Sequence, residues 1–443
     1  MDAGAYFSGK RITVMGLGLL GRGVGDARYL AECGAELIVT DLKTREALAE
    51  SVAQLQQFQN IKFVLGGHKL EDFKNRDLIL KAAGVPLDSV YIAEAKKNNI
   101  PVRMSADIFA EISGVICIGV TGTRGKSTVA HMIYASLIRA NRRTVLGGNV
   151  RGVSNLMLLK DVTPEHIAVL ELDSWQLQGW GEAKISPNIG VFTTFYPDHL
   201  NYYAGNMDAY LADKANIFLF QKPEDTLILG KQCAPTIIEK YGDKINSKII
   251  IVDELKLPDT WILSIPGMHN RYNAAFALSV ARALEIPDDI SKRALESFKG
   301  VPGRLEFIRE VNGVKIYNDT TSTTPEATLA ALAALSDVGR QTSNIVVIAG
   351  GTDKNLDMNR LLASLADVKR VILLSGSGTS RILEFLPNAS VFDTLEKAVA
   401  EAFASAQSGD TILFSPAFTS FGMFKNEFDR GDQFVALVKK HTA

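Results

Sequence analysis

Short apolar runs alternating with longer amphipathic segments predict an α/β protein of mostly parallel sheets. Two glycine-rich turns, each directly after an apolar run and before a helical pattern, predict two strand–turn–helix units that cradle phosphate. The 443 residues have room for two to four domains of about 100–200 residues each. The rhythm of the runs divides them into three, at 1–108, 109–300 and 301–443.

In the first domain RITVMG (11–16) reads as a buried strand, followed by a glycine turn and a helical stretch to about Glu32. ELIVTD (36–41), RDLILKAAG (76–84) and IPVRMS (100–105) supply further strands of a small doubly wound domain. The second domain opens on GVICIGVTG (114–122), which runs through a turn into STVAHMIYASLIRA, a segment of helical periodicity. Its later strands are IAVLEL (167–172), IGVFTTF (189–195), TLILG (226–230) and KIIIVD (248–253), and NRYNAAFALSVARALEI (270–286) reads as a helix. The third domain carries VKIYND (314–319), a helix opened by Pro325, then IVVIAGG (345–351), RVILLSG (370–376) and TILFSPA (411–417).

Composition narrows the function classes. Lys plus Arg total 48 and Asp plus Glu 49, so the global basic footprint of a nucleic-acid binder is missing. The three cysteines Cys33, Cys117 and Cys233 are far apart, with neither a disulfide framework nor metal-ligand spacing. Cys117, in an apolar run, reads as a core residue. The N-terminal residues have no signal-peptide pattern and no apolar run reaches a membrane span, so the expected compartment is the cytoplasm.

The most specific motif is Gly119-Val120-Thr121-Gly122-Thr123-Arg124-Gly125-Lys126-Ser127-Thr128. It departs from the usual P-loop by one extra residue between the flanking glycines, and its phosphate loop reads Thr-Gly-x-x-Gly-Lys-Ser. Backbone N–H groups of such a turn and the following helix N-terminus attract phosphate. Lys126 can reach the β and γ oxygens of ATP, and Ser127 or Thr128 can offer a hydroxyl to Mg²⁺.

Gly16-Leu17-Gly18-Leu19-Leu20-Gly21 follows the first strand, and Asp41 ends the next one, 20 residues past Gly21. That pattern suits a pyrophosphate with a nearby ribose, which a dinucleotide and a UDP-sugar both possess. Glu171 leaves a buried strand, where an acid is well placed for Mg²⁺, with Asp173 two residues on; helix capping is the alternative job. His199, after Asp198, reads alone as structural, and Lys214 reads alone as an ordinary helix-surface lysine. Asp319 precedes a hydroxyl run, Thr320-Thr321-Ser322-Thr323-Thr324, which suits either ligand contact or capping of the helix at Pro325.

Together these motifs resemble the Mur ligases. The resemblance covers nearly the whole chain in order, through GGN (147–149), ELDSWQLQ (171–178), PDHLNYY (197–203), GMHNRYN (267–273), PGRLE (302–306), YNDTTSTTP (317–325), GGTDK (350–354) and SPAFTSFGMFKNEFDRG (415–431). It implies a Rossmann-like N-terminal domain, a central P-loop ATPase and a Rossmann-like C-terminal domain. The implied activity is ATP-dependent addition of glutamate, D-glutamate foremost, to UDP-N-acetylmuramoyl-L-alanine through an acyl phosphate, by a monomer. It also implies that Gly18, Leu19, Leu20, Asp41 and Asn149 contact the UDP precursor. Gly122, Thr123, Arg124, Gly125, Lys126, Ser127, Thr128, Asn273, Arg304 and Asp319 match positions that hold ATP. Ser127, Glu171, His199 and Lys214 match the Mg²⁺ site, with Lys214 carbamylated, and Lys354, Ser420 and Thr323 fall in the glutamate site.

Three residues depart from the family pattern. Thr321 stands where a lysine is common, Asp173 where a serine is common, and Glu427 where an aromatic residue often flanks glutamate. They leave the acceptor amino acid and its D or L form open. Folylpolyglutamate synthase, a rival within the superfamily, normally begins near the P-loop, whereas more than 100 residues precede it here. A nicotinamide-dependent oxidoreductase, the rival of another class, leaves the P-loop, Glu171 and Lys214 unexplained.

Overall fold

The computed structural model describes residues 3–18, 21–199, 202–336 and 342–441. The expected contacts of Leu19 and Leu20 therefore lie outside the described residues. The chain forms two compact units, Met1–Trp261 with Tyr272–Leu295, and Ile262–Arg271 with Glu296–Ala443.

The first unit holds two sheets. One is built from β1 (Arg11–Met15), β2 (Glu36–Asp41), β3 (Ile61–Leu65), β4 (Leu78–Lys81) and β5 (Val102–Arg103), in the order β3-β2-β1-β4-β5 with parallel pairing throughout. The chain leaves β1 toward β2 and returns on the other side of β1 as β4, so the order reverses between β1 and β4. In open α/β sheets, ligands bind in the crevice at such a switch point, beyond the strand C-termini. Ile12, Val14, Leu37 and Val39 are buried against Ala27 and Leu30 of the helix Arg22–Glu32, which places that helix on the sheet.

The other sheet contains β6 (Ile116–Thr121), β7 (Thr144–Gly148), β8 (Ile167–Glu171), β9 (Ile189–Phe192), β10 (Thr226–Gly230) and β11 (Lys248–Val252), in the order β11-β10-β9-β6-β8-β7, again all parallel. Central β6 pairs with β8 and β9, so the turn after β6 opens beside the C-terminal ends of both. Cys117, Ala168, Leu170, Phe192, Leu227 and Leu229 form its core, as expected for Cys117. Burial pushes the Cys117 thiol up to about 12, so it stays protonated.

The second unit holds β12 (Glu306–Val311), β13 (Val314–Asn318), β14 (Ile345–Gly350), β15 (Arg370–Leu374), β16 (Ser390–Phe392) and β17 (Thr411–Phe414), in the order β12-β13-β17-β14-β15-β16. Only the hairpin β12–β13 is antiparallel. Alternate residues serve opposite faces, the signature of a sheet covered on both sides. Val347, Leu373 and Leu413 pack with Leu332 and Leu361, whereas Val346, Ile348, Ile372 and Ile412 pack with Val399 and Phe434.

Four strands carry no signal in the sequence reading: β3, β7, β12 and β16. Each is the outermost strand of its sheet. The helix expected from Pro325 runs Pro325–Ser336, and the one expected at 270–286 runs Met268–Ala283.

Candidate active site

The phosphate loop is fixed by its own glycines and by the end of β9. Gly122 has φ +138°, and a Cβ there would stand 2.1 Å from Thr193 Oγ1. Gly125, at φ +86°, leaves room for Asn273, whose Oδ1 would lie 2.6 Å from an added Cβ. The loop is stitched down along its length. Thr123 N donates to Thr194 O (2.7 Å), Arg124 N to Thr194 Oγ1 (2.9 Å), and Thr193 Oγ1 to Arg124 O (2.5 Å). The Thr123 hydroxyl turns inward onto Tyr196, accepting from its N–H at 3.0 Å, so Thr123 holds the loop in shape with both its side chain and its N–H. Arg124 is exposed, while Ser127 is buried at the first turn of the helix Lys126–Arg139.

Two lysine side chains meet at one carbonyl. Lys126 Nζ donates to Gly122 O (2.9 Å) and Thr123 O (3.2 Å), and Lys214 Nζ donates to Gly122 O (3.1 Å) and Thr121 Oγ1 (3.3 Å). Lys214 is only 1% exposed, which corrects its reading in isolation as a surface lysine. Burial, reinforced by the Lys126 charge, holds its pKa well below that of an ordinary lysine, against the opposing pull of Asp173, Asp198 and Asp213. A buried amine poised toward its neutral form is a nucleophile.

His199 sits beyond β9 in the left-handed region, at φ +52°, with its ring 4.6 Å from Trp175. Burial lowers its pKa; Asp198 and Asp173 oppose this, while Lys126 and Lys214 add to it. A neutral imidazole with a free lone pair is the form that binds metal. Glu171 ends β8, level with Val120 of β6, and is 4% exposed. Among the described residues its carboxylate meets no hydrogen-bond donor. Asp173, by contrast, caps the helix Ser174–Ala183, accepting from Gln176 N at 2.8 Å. The Glu171 carboxylate and the Ser127 hydroxyl are oxygen donors of the kind a hard divalent cation takes, and His199 would add a ring nitrogen. Among the described residues no three His, Cys, Asp or Glu side chains form a metal-holding group on their own.

At the first glycine turn, both oxygens of Asp41 are engaged. Oδ2 accepts from Leu17 N (2.9 Å) and Gly18 N (3.0 Å), and Oδ1 from Lys43 N (2.9 Å). Asp41 thus shapes the turn where the sequence reading gave it a ribose contact. Asn149 follows β7; its N–H donates to Glu171 O (2.7 Å) and its Oδ1 accepts from Arg22 (2.5 Å). Asn149 so connects the glycine turn's helix to the strand that carries Glu171.

In the second unit, Asp319 ends β13 and gathers three donors: Leu305 N (2.9 Å), Ser415 Oγ (2.7 Å) and Ser322 Oγ (2.5 Å). Burial raises its pKa to about 6 despite these bonds. Exposed Arg304 is next to Leu305, so Asp319 positions the loop that carries it. Thr352 and Thr419 pair backbone to backbone, clipping 350–354 to 415–421. Exposed Lys354 donates to Thr323 Oγ1 at 3.1 Å, whereas Ser420 is 4% exposed. These groups gather beyond the C-terminal ends of β13, β14 and β17.

Three family models match the chain: the MurD-like N-terminal domain of Mur ligases at 10–104, the Mur ligase middle domain at 120–254, and the glutamate ligase domain of Mur ligases at 303–418. Curated relatives match end to end. A UDP-N-acetylmuramoylalanine–D-glutamate ligase of Roseiflexus sp. is 36% identical, covering 98% of this chain and 99% of the relative. Another of the same name, from Borreliella afzelii, is 38% identical over 96% of each chain.

The chain belongs to the Mur ligase family.

Solved Mur ligases share its fold. MurC from Thermotoga maritima gives a TM-score of 0.64 at 17% identity, covering 97% of this chain and 99% of its own. MurF from Thermotoga maritima gives 0.60 at 19%, covering 99% and 96%. For a Mur ligase, the residues that sequence reasoning missed are Thr193 and Thr194, which staple the phosphate loop, and Arg22, which holds Asn149. Their signal was faint: two hydroxyls at the end of a strand and one arginine after a glycine turn.

Proposed function

We propose that the chain is an ATP-dependent ligase joining D-glutamate to UDP-N-acetylmuramoyl-L-alanine, a step of peptidoglycan precursor synthesis. The observation that carries this reading is near full-length identity of 30–38% to relatives that bear that name. Three functional domains follow the boundaries at 1–108, 109–300 and 301–443, for the UDP precursor, for ATP, and for glutamate with part of the nucleotide.

The reaction runs in two steps. A carboxylate oxygen of the alanine moiety attacks the γ-phosphorus of ATP, the bond to the bridging oxygen breaks, and ADP leaves with that electron pair. The amine of glutamate then attacks the acyl carbon, phosphate departs, and the new amide nitrogen sheds its proton. Positioning and charge neutralisation are the main catalytic terms for phosphoryl transfer. Backbone N–H groups of Gly122 and Gly125 and the ammonium of Lys126 serve the phosphates, with Thr128 and Asn273 beside them, while Thr123 and Arg124, whose N–H groups go to Thr194, hold the loop in shape. Ser127, Glu171, His199 and carbamylated Lys214 would hold Mg²⁺, which supplies positive charge at the transferring phosphoryl group. Carbamylation turns the buried, nucleophilic amine of Lys214 into an anionic oxygen donor of the kind Mg²⁺ prefers. Lys354, Ser420 and Thr323 bind glutamate. Arg304 serves the nucleotide, and Asp319 acts through it by holding the loop that carries it.

The test is phosphate release from ATP with UDP-N-acetylmuramoyl-L-alanine and either D-glutamate or L-glutamate. Release should require the precursor and favour D-glutamate. Release that ignores the precursor refutes the reading, and preference for L-glutamate refutes the acceptor.

A further inference from the structure

The cavity beside the first glycine turn contains two cations that the fold does not explain. It measures about 210 Å³ and is lined by Gly16, Leu17, Gly18, Arg22 and Lys81, among others. It lies where β1 and β4 meet, at the switch point of the sheet. Lys81 is the last residue of β4 and is 3% exposed. An ammonium can donate three hydrogen bonds. Among the described residues Lys81 makes one, to Val85 O at 3.1 Å.

The acids in electrostatic range of Lys81 are already engaged. Asp107 is paired with Arg103, Asp173 caps a helix, and Asp213 takes bonds from Gln178 (2.8 Å) and Tyr203 (2.9 Å). Burial lowers Lys81 to about 8, with those acids opposing, so at neutral pH it keeps its charge. Leaving donors of a buried cation unused is costly unless a ligand supplies acceptors.

Arg22 approaches the same cavity from the first turn of the helix after the glycines, and its one described hydrogen bond goes to Asn149 Oδ1. A guanidinium has five N–H donors. Asp26, the acid lining the cavity, is capped by Ser154 Oγ (2.6 Å) and Leu156 N (3.3 Å), and burial raises its pKa. The cavity's unsatisfied polarity is therefore positive and comes from these two side chains, since the N–H groups of Gly16, Leu17 and Gly18 already donate to Thr40 O and Asp41.

We propose that Arg22 and Lys81 bind the diphosphate of the UDP-linked precursor, one from the helix after the turn and the other from the neighbouring strand. This rests on the proposed function and deepens it. The two cations make the cavity discriminate a diphosphate ester from the uncharged nucleoside. Neither residue belongs to the glycine motif itself, so the discrimination is a property of this chain's own side chains.

Calorimetry on the full chain tests this with UDP and uridine as probes. Lys81→Met and Arg22→Gln should each weaken UDP binding roughly tenfold to a hundredfold, the worth of one charge-assisted hydrogen bond. Uridine binding should hold within about twofold, and the salt dependence of UDP binding should flatten. A purely structural role would instead lower the thermal midpoint and weaken both probes alike. Lys81→Met removes a buried charge at similar volume; should it fail to fold, the half-buried Arg22 still carries the test. UDP affinities within about twofold of wild type in both variants overturn the inference. Wild-type protein that binds no UDP overturns the proposed function instead, so the two failures are distinct.

Discussion

Gly122→Ala is the sharpest probe of the phosphate cradle. The new methyl would stand 2.1 Å from Thr193 Oγ1, 2.9 Å from Thr194 N and 3.0 Å from Thr194 O. The φ of +138° adds backbone strain of about 1–3 kcal/mol for a residue with a Cβ. Moving Thr193 aside sacrifices its bond to Arg124 O, about 1 kcal/mol. The sum, about 2–4 kcal/mol, falls on the loop conformation that the proposed ATP site requires and corresponds to roughly thirty- to thousandfold weaker binding. Calorimetry with ADP at fixed Mg²⁺ measures it, with thermal unfolding as the folding control. The double variant Gly122→Ala/Thr193→Ala separates the causes. It relieves the clash with the hydroxyl but keeps the φ strain, the Thr194 backbone contacts and the loss of the bond to Arg124 O, so it should bind ADP about as weakly as the single variant. A single variant that binds ADP within about threefold of wild type would refute the reasoning.

Further outcomes follow from the same geometry. Lys214→Ala should abolish turnover, with partial rescue by short carboxylates; full activity without them removes the carbamate role. Asp319→Asn should flatten the pH dependence of stability in urea titrations. A carboxyl whose folded pKa is raised from 3.8 to about 6 stabilises fully below pH 4 and loses that contribution as pH rises through 6. Wild type should therefore lose about 3 kcal/mol relative to the variant between pH 4 and 7, and parallel profiles would contradict this. Arg430, fully buried, donates to Phe418 O (3.1 Å) and Thr320 O (2.7 Å). Arg430→Met should cost about 2–4 kcal/mol by stranding both carbonyls, measured by urea denaturation, and an unchanged midpoint would show that they find other donors.

Legibility in the sequence followed the continuity of the apolar run, which even the largely exposed edge strand Lys248–Val252 keeps. Central strands such as Ile116–Thr121 and Ile345–Gly350 are buried along almost their whole length, so their apolar runs announce them. The four missed strands lie at sheet edges, where one flank meets solvent. Glu306–Val311 mixes Glu306, Arg309 and Glu310 into its run, Thr144–Gly148 ends in two glycines, and Ser390–Phe392 has three residues. Gly147 and Gly148 weaken the strand signal for a reason seen only in three dimensions: a Cβ at Gly148 would lie 2.1 Å from Glu171 O. The phosphate loop was legible because its chemistry is local. The Thr193–Arg124 staple spans 69 residues, and no spacing rule reaches that far.

The acids show how a structure sorts candidates that a sequence leaves equal. Asp41, Asp173, Glu171 and Asp319 each lie at or just past the C-terminal end of a strand, and each is a reasonable ligand by position. Asp41 accepts from Leu17, Gly18 and Lys43, Asp319 from Leu305, Ser322 and Ser415, and Asp173 through Oδ1 from Gln176. A carboxylate so occupied organises a loop, and recruiting it to a cation would cost those bonds. Glu171 has no such donors among the described residues, although it is equally buried. Glu171 could therefore take up the proposed cation without giving up an existing bond, which the other three acids could not. The same reasoning run with the opposite sign selects Lys81, a buried cation with donors to spare, and sets it apart from Lys126 and Lys214, whose side-chain nitrogens already share the carbonyl of Gly122.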